Sequence, residues 1–252
     1  MAKESGLGDS LFVAQYDLSG DIGQVTNVNC PRATFGVSSI QDLAEARILG
    51  RKDGSIGFTS YWNVVAGQAH PVLSALPTTD RIVSYFHGST VGGAAASMTA
   101  KQLDYAPQFG ADGSLVVTNS MVANGYGLEW SGGATGDGML TTGKQTFATG
   151  AVNGTSIDLG TTSTLFGAAA YLHVFSIASG TAQFTVQDSA NNSTFVDIAG
   201  MAFTPVTTAT SERVQGAVSA TVRQYVRIQG SGTHGNAVIA VNFIRYLTSS
   251  AA

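Results

Sequence analysis

Between Tyr171 and Arg245 apolar and polar residues alternate with a period of two, in short runs separated by turn residues. Gln183-Phe184-Thr185-Val186-Gln187 and Gln224-Tyr225-Val226-Arg227-Ile228-Gln229 are the clearest. That period belongs to a pleated strand with two different faces and does not suit a helix. Residues 171–177, 194–198 and 237–245 supply further runs. Turns are expected at 188–192 and 230–235, where Asp, Asn, Ser and Gly gather. Short strands at this spacing imply an antiparallel sandwich, and no helix of two clear turns is expected in this half.

The first half also reads mainly as strands. Residues 55–62, 81–86 and 114–118 are rich in β-branched and aromatic side chains, and 97–105 reads as a further strand. Asp53-Gly54 and Asp112-Gly113 each precede such a run, which is a hairpin signal. The two segments share Asp-Gly-Ser and similar offsets beyond it, through either two equivalent hairpins or chance reuse of a common turn. Two short helices are expected. One spans 38–50, with Ser39 as N-cap and Ile40, Leu43, Ala44 and Arg47 on one face. The other spans 68–75, with Pro71 near its start and Pro77 beyond its end. Residues 17–21 read as a turn, and the first dozen or so residues, punctuated by Gly6 and Gly8, as an arm. Glycine and threonine crowd 132–153, so the expected division is a β domain over 1–131, a linker or loop over 132–153 and a sandwich domain over 154–252.

Charged residues make up only 11% of the 252, against about 25% in ordinary soluble domains. Thr, Ser, Asn and Gly carry the solubility instead, as suits β surfaces that pair with other subunits. The net charge of −4 argues against a basic face for nucleic acid. One cysteine, Cys30, excludes an internal disulfide and reads as a small buried or half-buried filler. No apolar run approaches 18 residues, so no membrane span is expected. The opening Met1-Ala2-Lys3-Glu4-Ser5-Gly6 lacks the apolar core of a secretory signal, which points to a reducing cytoplasm. Without a secretory route the sequons at Asn153, Asn191 and Asn192 have no use.

A search for chemistry yields no catalytic set, and no enzyme, metal or cofactor is expected. His70, His87, His173 and His234 do not pair at ligand spacing, and His173 alternates with apolar residues as a strand-face residue does. There is no phosphate loop and no nucleophile elbow. Residues 125–130 hint at a dinucleotide fingerprint but lack its third glycine, and read as a strand end or bulge. Asp188 with Asn191 and Asn192 could hold calcium or a sugar, though a plain turn accounts for them. Trp62, Tyr126, Trp130, Tyr225 and Tyr246 could form a sugar platform, though such aromatics are more often core.

Over 5–130 the chain resembles the tail tube proteins of long-tailed bacteriophages. The resemblance lies in the order and spacing of Leu7-Gly8-Asp9, the segment Gly50 to Phe58, the helix-like segment Ala69 to Leu76, the strand Arg81 to Phe86 and Ala111-Asp112-Gly113-Ser114. The second half looks like the sandwich domains appended to virion proteins. The resemblance implies an all-β, mainly antiparallel chain: a tail-tube-like sandwich or barrel domain with one or two short helices, and a C-terminal sandwich. It also implies a structural virion protein, assembled in the host cytoplasm. The partners implied are copies of itself in stacked hexameric or pseudo-hexameric rings and other tail proteins. DNA would pass through the lumen without specific binding. Ring stacking would use the N-terminal arm, with Leu7, Gly8 and Asp9, and a long hairpin loop carrying Arg47, Arg51, Lys52, Asp53 and Gly54. The alternative is a capsid decoration or minor virion protein whose sandwich binds host glycans.

Overall fold

The computed structural model describes residues 5–132, 137–160 and 163–248. The chain is all-β and mainly antiparallel, with one α-helix, α1 (Ala69–Leu73), among the described residues. None of its described helices is long and apolar enough to cross a membrane. The strands form two compact units, and neither is a continuous stretch of chain. A sandwich unit gathers the described residues of 1–20, 82–97 and 130–252, and a ribbon unit gathers 21–81 and 98–129. This grouping differs from the consecutive division at 131 and 153 expected from composition.

Two five-stranded sheets build the sandwich unit. One has the order β11 (Gly138–Met139), β20 (Ala237–Arg245), β15 (Ala168–Ile177), β18 (Thr210–Gln215), with β12 (Gln145–Phe147) also on β20. The other has the order β13 (Val152–Asn153), β19 (Tyr225–His234), β16 (Gly180–Ser189), β17 (Val196–Ala202), with β14 (Ile157–Asp158) also on β19. Ala170, Leu172 and Val174 of β15 and Val241 and Phe243 of β20 share one core cluster with Phe184, Val186, Val226 and Ile228 of the facing sheet. The alternate side chains of β15 are buried as well. Ala169 and Tyr171 pack with Ile82, Ile244 and Tyr246, while Phe12, Phe86, Ala95, Met139 and Ala240 form a third cluster. These contacts bring in β1 (Ser10–Val13) and β7 (Arg81–Phe86), in the order β2 (Tyr16–Asp17), β1, β7. A strand covered on both faces has no polar side, which is why Ala168 to Val174 is nearly all apolar.

Two expectations fail in this unit. Residues 137–153 carry β11, β12 and β13, with Met139, Leu140 and Phe147 buried, so the described part of the expected linker is built into the sheets. Residues 230–234 continue β19 rather than turn. A Cβ on Gly230 would lie 2.9 Å from the Phe147 ring and 3.2 Å from that of Phe184. Its glycine is thus a packing requirement, which composition alone cannot tell from a turn.

In the ribbon unit β8 (Ala95–Phe109), from Met98 onward, lies beside β9 (Leu115–Ala123), then β6 (Ser55–Tyr61) and β3 (Ile22–Asn29). Ile56, Phe58, Met98, Ala100, Val117 and Met121 are buried, as are Ala69, Val72 and Leu73 of α1. The short helix survives because its ends are satisfied from elsewhere. The Asp21 carboxylate accepts the Ala69 N–H at 2.8 Å, and the carbonyls of Val72 and Leu73 accept from Arg81 at 2.9 Å and Gln102 at 2.8 Å. Asp112-Gly113 sits in the turn between β8 and β9, with Gly113 at φ +86° and the Gly110 N–H donating to the Ser114 carbonyl at 2.8 Å.

The helix expected over 38–50 is absent. Residues 47–52 form β5 (Arg47–Lys52), paired with β4 (Arg32–Gly36). The Ser39 hydroxyl does accept the Gln41 N–H, and the Asp42 carboxylate accepts the Ser39 N–H at 2.6 Å, but they cap a turn. An isolated helix this short is marginal in water, and Ile40 and Leu43 face solvent with no surface to stabilise one. Cys30 is exposed rather than buried, its Sγ 3.1 Å from the Leu128 carbonyl oxygen.

Candidate functional site

β3 and β4 form one arm, and β5 and β6 the other, of a long antiparallel ribbon. β3 pairs with β6 from Ile22↔Ser60 to Asn29↔Ser55. β4 pairs with β5 from Arg32↔Lys52 to Gly36↔Arg47. The Asp53 N–H donates to the Pro31 carbonyl at 3.0 Å across the joint. Asp53-Gly54 is therefore not a hairpin turn but the joint between β5 and β6. Gly54 is required there, since a Cβ would come within 2.4 Å of the Leu128 Cβ. At about 3.3 Å per residue, an arm running from Ile22 to Gly36 reaches roughly 50 Å when extended.

The outer part of this ribbon, β4 and β5, is a two-stranded sheet, so among the described residues each strand has one edge with no strand beside it. It also turns apolar side chains to solvent. Phe35 is 60% exposed, and Ile48, opposite it in register, is 57% exposed. Leu49, on the other face, is 62% exposed, and Ile40 and Leu43 in the tip have no cover at all. Gly50 lets the Phe35 ring lie across the ribbon, for a Cβ would meet it at 2.8 Å. A bulge between Arg32 and Thr34 breaks the ladder and adds local twist. A two-stranded ribbon with both faces wet is marginal by itself in water, and exposed edges beside apolar side chains are what a strand-pairing partner covers.

The candidate stacking residues divide between the units. Arg47, Arg51 and Lys52 lie on β5, and Asp53 and Gly54 in the joint below it. Arg47 is paired with Glu45, both more than half exposed. Leu7, Gly8 and Asp9 belong to the sandwich unit. Leu7 is 90% exposed, and Gly8 takes φ +90°. Asp9 is committed to its own unit: its carboxylate accepts from the Tyr85 hydroxyl, from His87 Nδ1 at 2.9 Å and from the Gly88 N–H at 3.0 Å. Burial, and secondarily this carboxylate, raise the Tyr85 pKa well above that of a free phenol. A groove of about 640 Å³ lies beside them, lined by Ser5, His87, Thr90 and Val91 among others. Phe35, Ile40, Leu43, Ile48 and Leu49 are assembly candidates that the sequence hides, because a helical face at 40–47 also explains their spacing.

The other candidate residues are dispersed. Trp62 stacks on His70 with centroids 4.0 Å apart, and His70 Nδ1 meets the Tyr105 hydroxyl at 2.6 Å. Trp130 packs edge-on to Tyr85, and Tyr246 is core. Tyr126 is half exposed and Tyr225 partly buried. Asp188 accepts the Arg223 N–H at 2.8 Å, and burial raises its pKa against the pull of that arginine. The Asn191 side chain accepts the N–H groups of Ser193 and Thr194, as a plain turn does. Among the described residues no three His, Cys, Asp or Glu side chains are grouped to hold a metal.

No protein-family model matches the sequence, and no curated protein matches it. Solved structures to which parts of the chain are similar include a chain of the virion of a native gene transfer agent particle, at 10% identity and a TM-score of 0.41, covering 51% of this chain and 99% of that one. Another comes from the tail of an empty gene transfer agent particle with C6 symmetry, at 13% identity and a TM-score of 0.39, with coverage of 51% and 99%. A third is the Dit protein of phage SPP1, described as a paradigm of hub adsorption apparatus in phages that infect Gram-positive hosts. It is 7% identical with a TM-score of 0.34, covering 94% of this chain and 99% of that one.

Proposed function

We propose that this chain is a structural subunit of a phage tail, working as a polymer of itself and carrying out no catalysis. One observation carries the reading: among the described residues, the ribbon of β4 and β5 leaves open edges and apolar residues on both faces. A second copy that pairs with those edges would satisfy the backbone groups and cover Phe35 and Ile48 on one face and Leu49 on the other. The sequence resemblance to tail tube proteins supplies the finer form: hexameric or pseudo-hexameric rings stacked into a tube, with Leu7, Gly8, Asp9 and the segment Arg47 to Gly54 at the ring-to-ring interface. A net charge of −4 suits a conduit that passes DNA without holding its phosphates.

The test is negative-stain microscopy of the purified chain and of the native particle. Rings from the purified chain, and many stacked copies along the particle's tail, are expected. A single ring at the tail tip would move the chain from tube to hub, and a chain that stays monomeric and sits on the capsid would end the reading.

A second reading, a glycan-binding sandwich, has one observation in its favour. Across β17, β16, β19 and β13 runs a row of planar polar groups in which Gln187 joins Asp197, Arg227 and Gln229, and Gln229 joins Asn153. The Arg227 guanidinium lies 3.9 Å from the Phe195 ring centroid. An array of host cell-wall glycans that leaves the full chain unbound removes this reading.

A further inference from the structure

A chain of buried polar groups runs through the sandwich unit. His173 on β15, Ser84 on β7, Ser97 on β8 and Asn242 on β20 have no exposed surface, and Ser131, on β10 (Glu129–Ser131), has 3%. His173 Nδ1 lies 2.6 Å from the carbonyl oxygen of Ala14, in the turn between β1 and β2. A carbonyl can only accept, so Nδ1 carries the proton. The neutral ring then leaves Nε2 as an acceptor, and the Ser84 hydroxyl, at 2.8 Å, donates to it. With its proton committed, Ser84 accepts from Ser97 at 2.7 Å. Ser97 accepts from Asn242 Nδ2 at 2.9 Å, and Asn242 Oδ1 accepts from the Ser131 hydroxyl. One tautomer of one ring fixes the direction of every bond.

A proton added to His173 reverses that order. Nε2 becomes a donor, so Ser84 must accept from it and turn its own proton to Ser97. Ser97 turns its proton to Asn242, whose amide rotates by half a turn to present Oδ1. Nδ2 then faces Ser131, which needs a new acceptor. One is in place: the Ala95 carbonyl oxygen is 3.3 Å from the Ser131 hydroxyl oxygen. Both arrangements leave each of these groups bonded, which matters because an unsatisfied buried polar group is expensive.

We propose that this row of polar groups is a proton-operated relay, in which protonation of His173 reverses the hydrogen bonds from its Nε2 to Ser131, leaves the bond to Ala14 in place and does not break the fold. Burial holds the imidazole pKa down to about 4, partly opposed by the Ala14 carbonyl, so the neutral order prevails at neutral pH. The elements packed around the ring bring little charge. Phe12 of β1 and Phe175 of β15 lie against it, and Ala240 of β20 and Ser211 of β18 are its register partners. Lys144 lies 5.7 Å from the centroid of Phe175 and is paired with Asp17 of β2 at 2.6 Å. Arg213 covers Tyr171, two residues along β15. Tyr85, next to Ser84 on β7, belongs to the opposite face, where the Asp9 carboxylate binds both it and His87. The relay is independent of the assembly reading.

The experiment is magic-angle-spinning NMR of sedimented full-length chain, labelled in histidine and asparagine and titrated from pH 7 to pH 3. The Asn242 side-chain amide is expected to follow the His173 ring with the same midpoint. In Ser97→Ala the ring still titrates and Asn242 stops responding, and Ser97→Thr restores the coupling. An Asn242 amide that ignores the His173 titration in the native chain overturns the proposal. So does one that follows it unchanged in Ser97→Ala, or a fold that is lost before the ring titrates. The native-chain measurement decides even if Ser97→Ala does not fold.

Discussion

β15 and β5 both carry apolar side chains, yet their surroundings are opposite. Along β15 every residue from Ala168 to Val174 is buried, one face on the sandwich core and the other on side chains such as Phe12 and Ile82. Along β5, Ile48 and Leu49 are both largely exposed, and the strand's one neighbour, β4, exposes Phe35. The same kind of residue thus does two jobs. In the sandwich unit it supplies the stability of the monomer. In the ribbon it supplies none until something covers it, so its presence there points to an interface.

Substitutions on the two sides of this comparison should separate cleanly. The largest effect is expected from Phe184→Ala, which empties a fully buried site edge-on to Phe147. It should cost about 3–5 kcal/mol, read by urea denaturation in a Trp62→Phe background, where Trp130 reports on the sandwich unit. A cost under about 1 kcal/mol would be typical of a surface position and would break the contrast.

Acid should act next most strongly, again on the sandwich unit. His173 has a folded pKa of about 4 against an ordinary 6.5, so the unfolded chain takes up its proton first. Stability is complete above pH 6.5, falls as the pH drops from 6.5 to 4 and levels off below, for a total of roughly 3 kcal/mol at 1.36 kcal/mol per unit. His173→Gln cannot titrate and should lack that part of the curve. Parallel curves for the two proteins would remove His173 as the cause.

What could be read from the sequence follows the same division. A strand with one buried face, such as β19, shows in the alternation because its neighbours impose it, while β7 and β20 show as mainly apolar runs. The turn at Asp112-Gly113 shows because its chemistry is local. The ribbon does not, since none of the described residues buries its outer part and the spacing of Ile40, Leu43 and Arg47 fits a helix equally well. Asp53-Gly54 and Gly230 are read as turns for a related reason: their glycines answer to Leu128, Phe147 and Phe184, which are distant in sequence. The resemblance to tail tube proteins singles out Arg47 to Gly54, but the apolar residues that give that segment its character emerge only from the pairing of β4 with β5. The grouping of 1–20 and 82–97 with the second half is likewise invisible to any local pattern.

The most direct test is sedimentation velocity of the native chain beside a Phe35→Ser, Ile48→Ser, Leu49→Ser variant. Since the three side chains are more than half exposed, monomer stability should change little, within about 0.5 kcal/mol for each. The native chain should sediment as rings or longer assemblies and the variant as a monomer with an unchanged melting temperature. Equal assembly of the two, or a native chain that stays monomeric at every concentration, would contradict the claim that this ribbon is completed by a second copy.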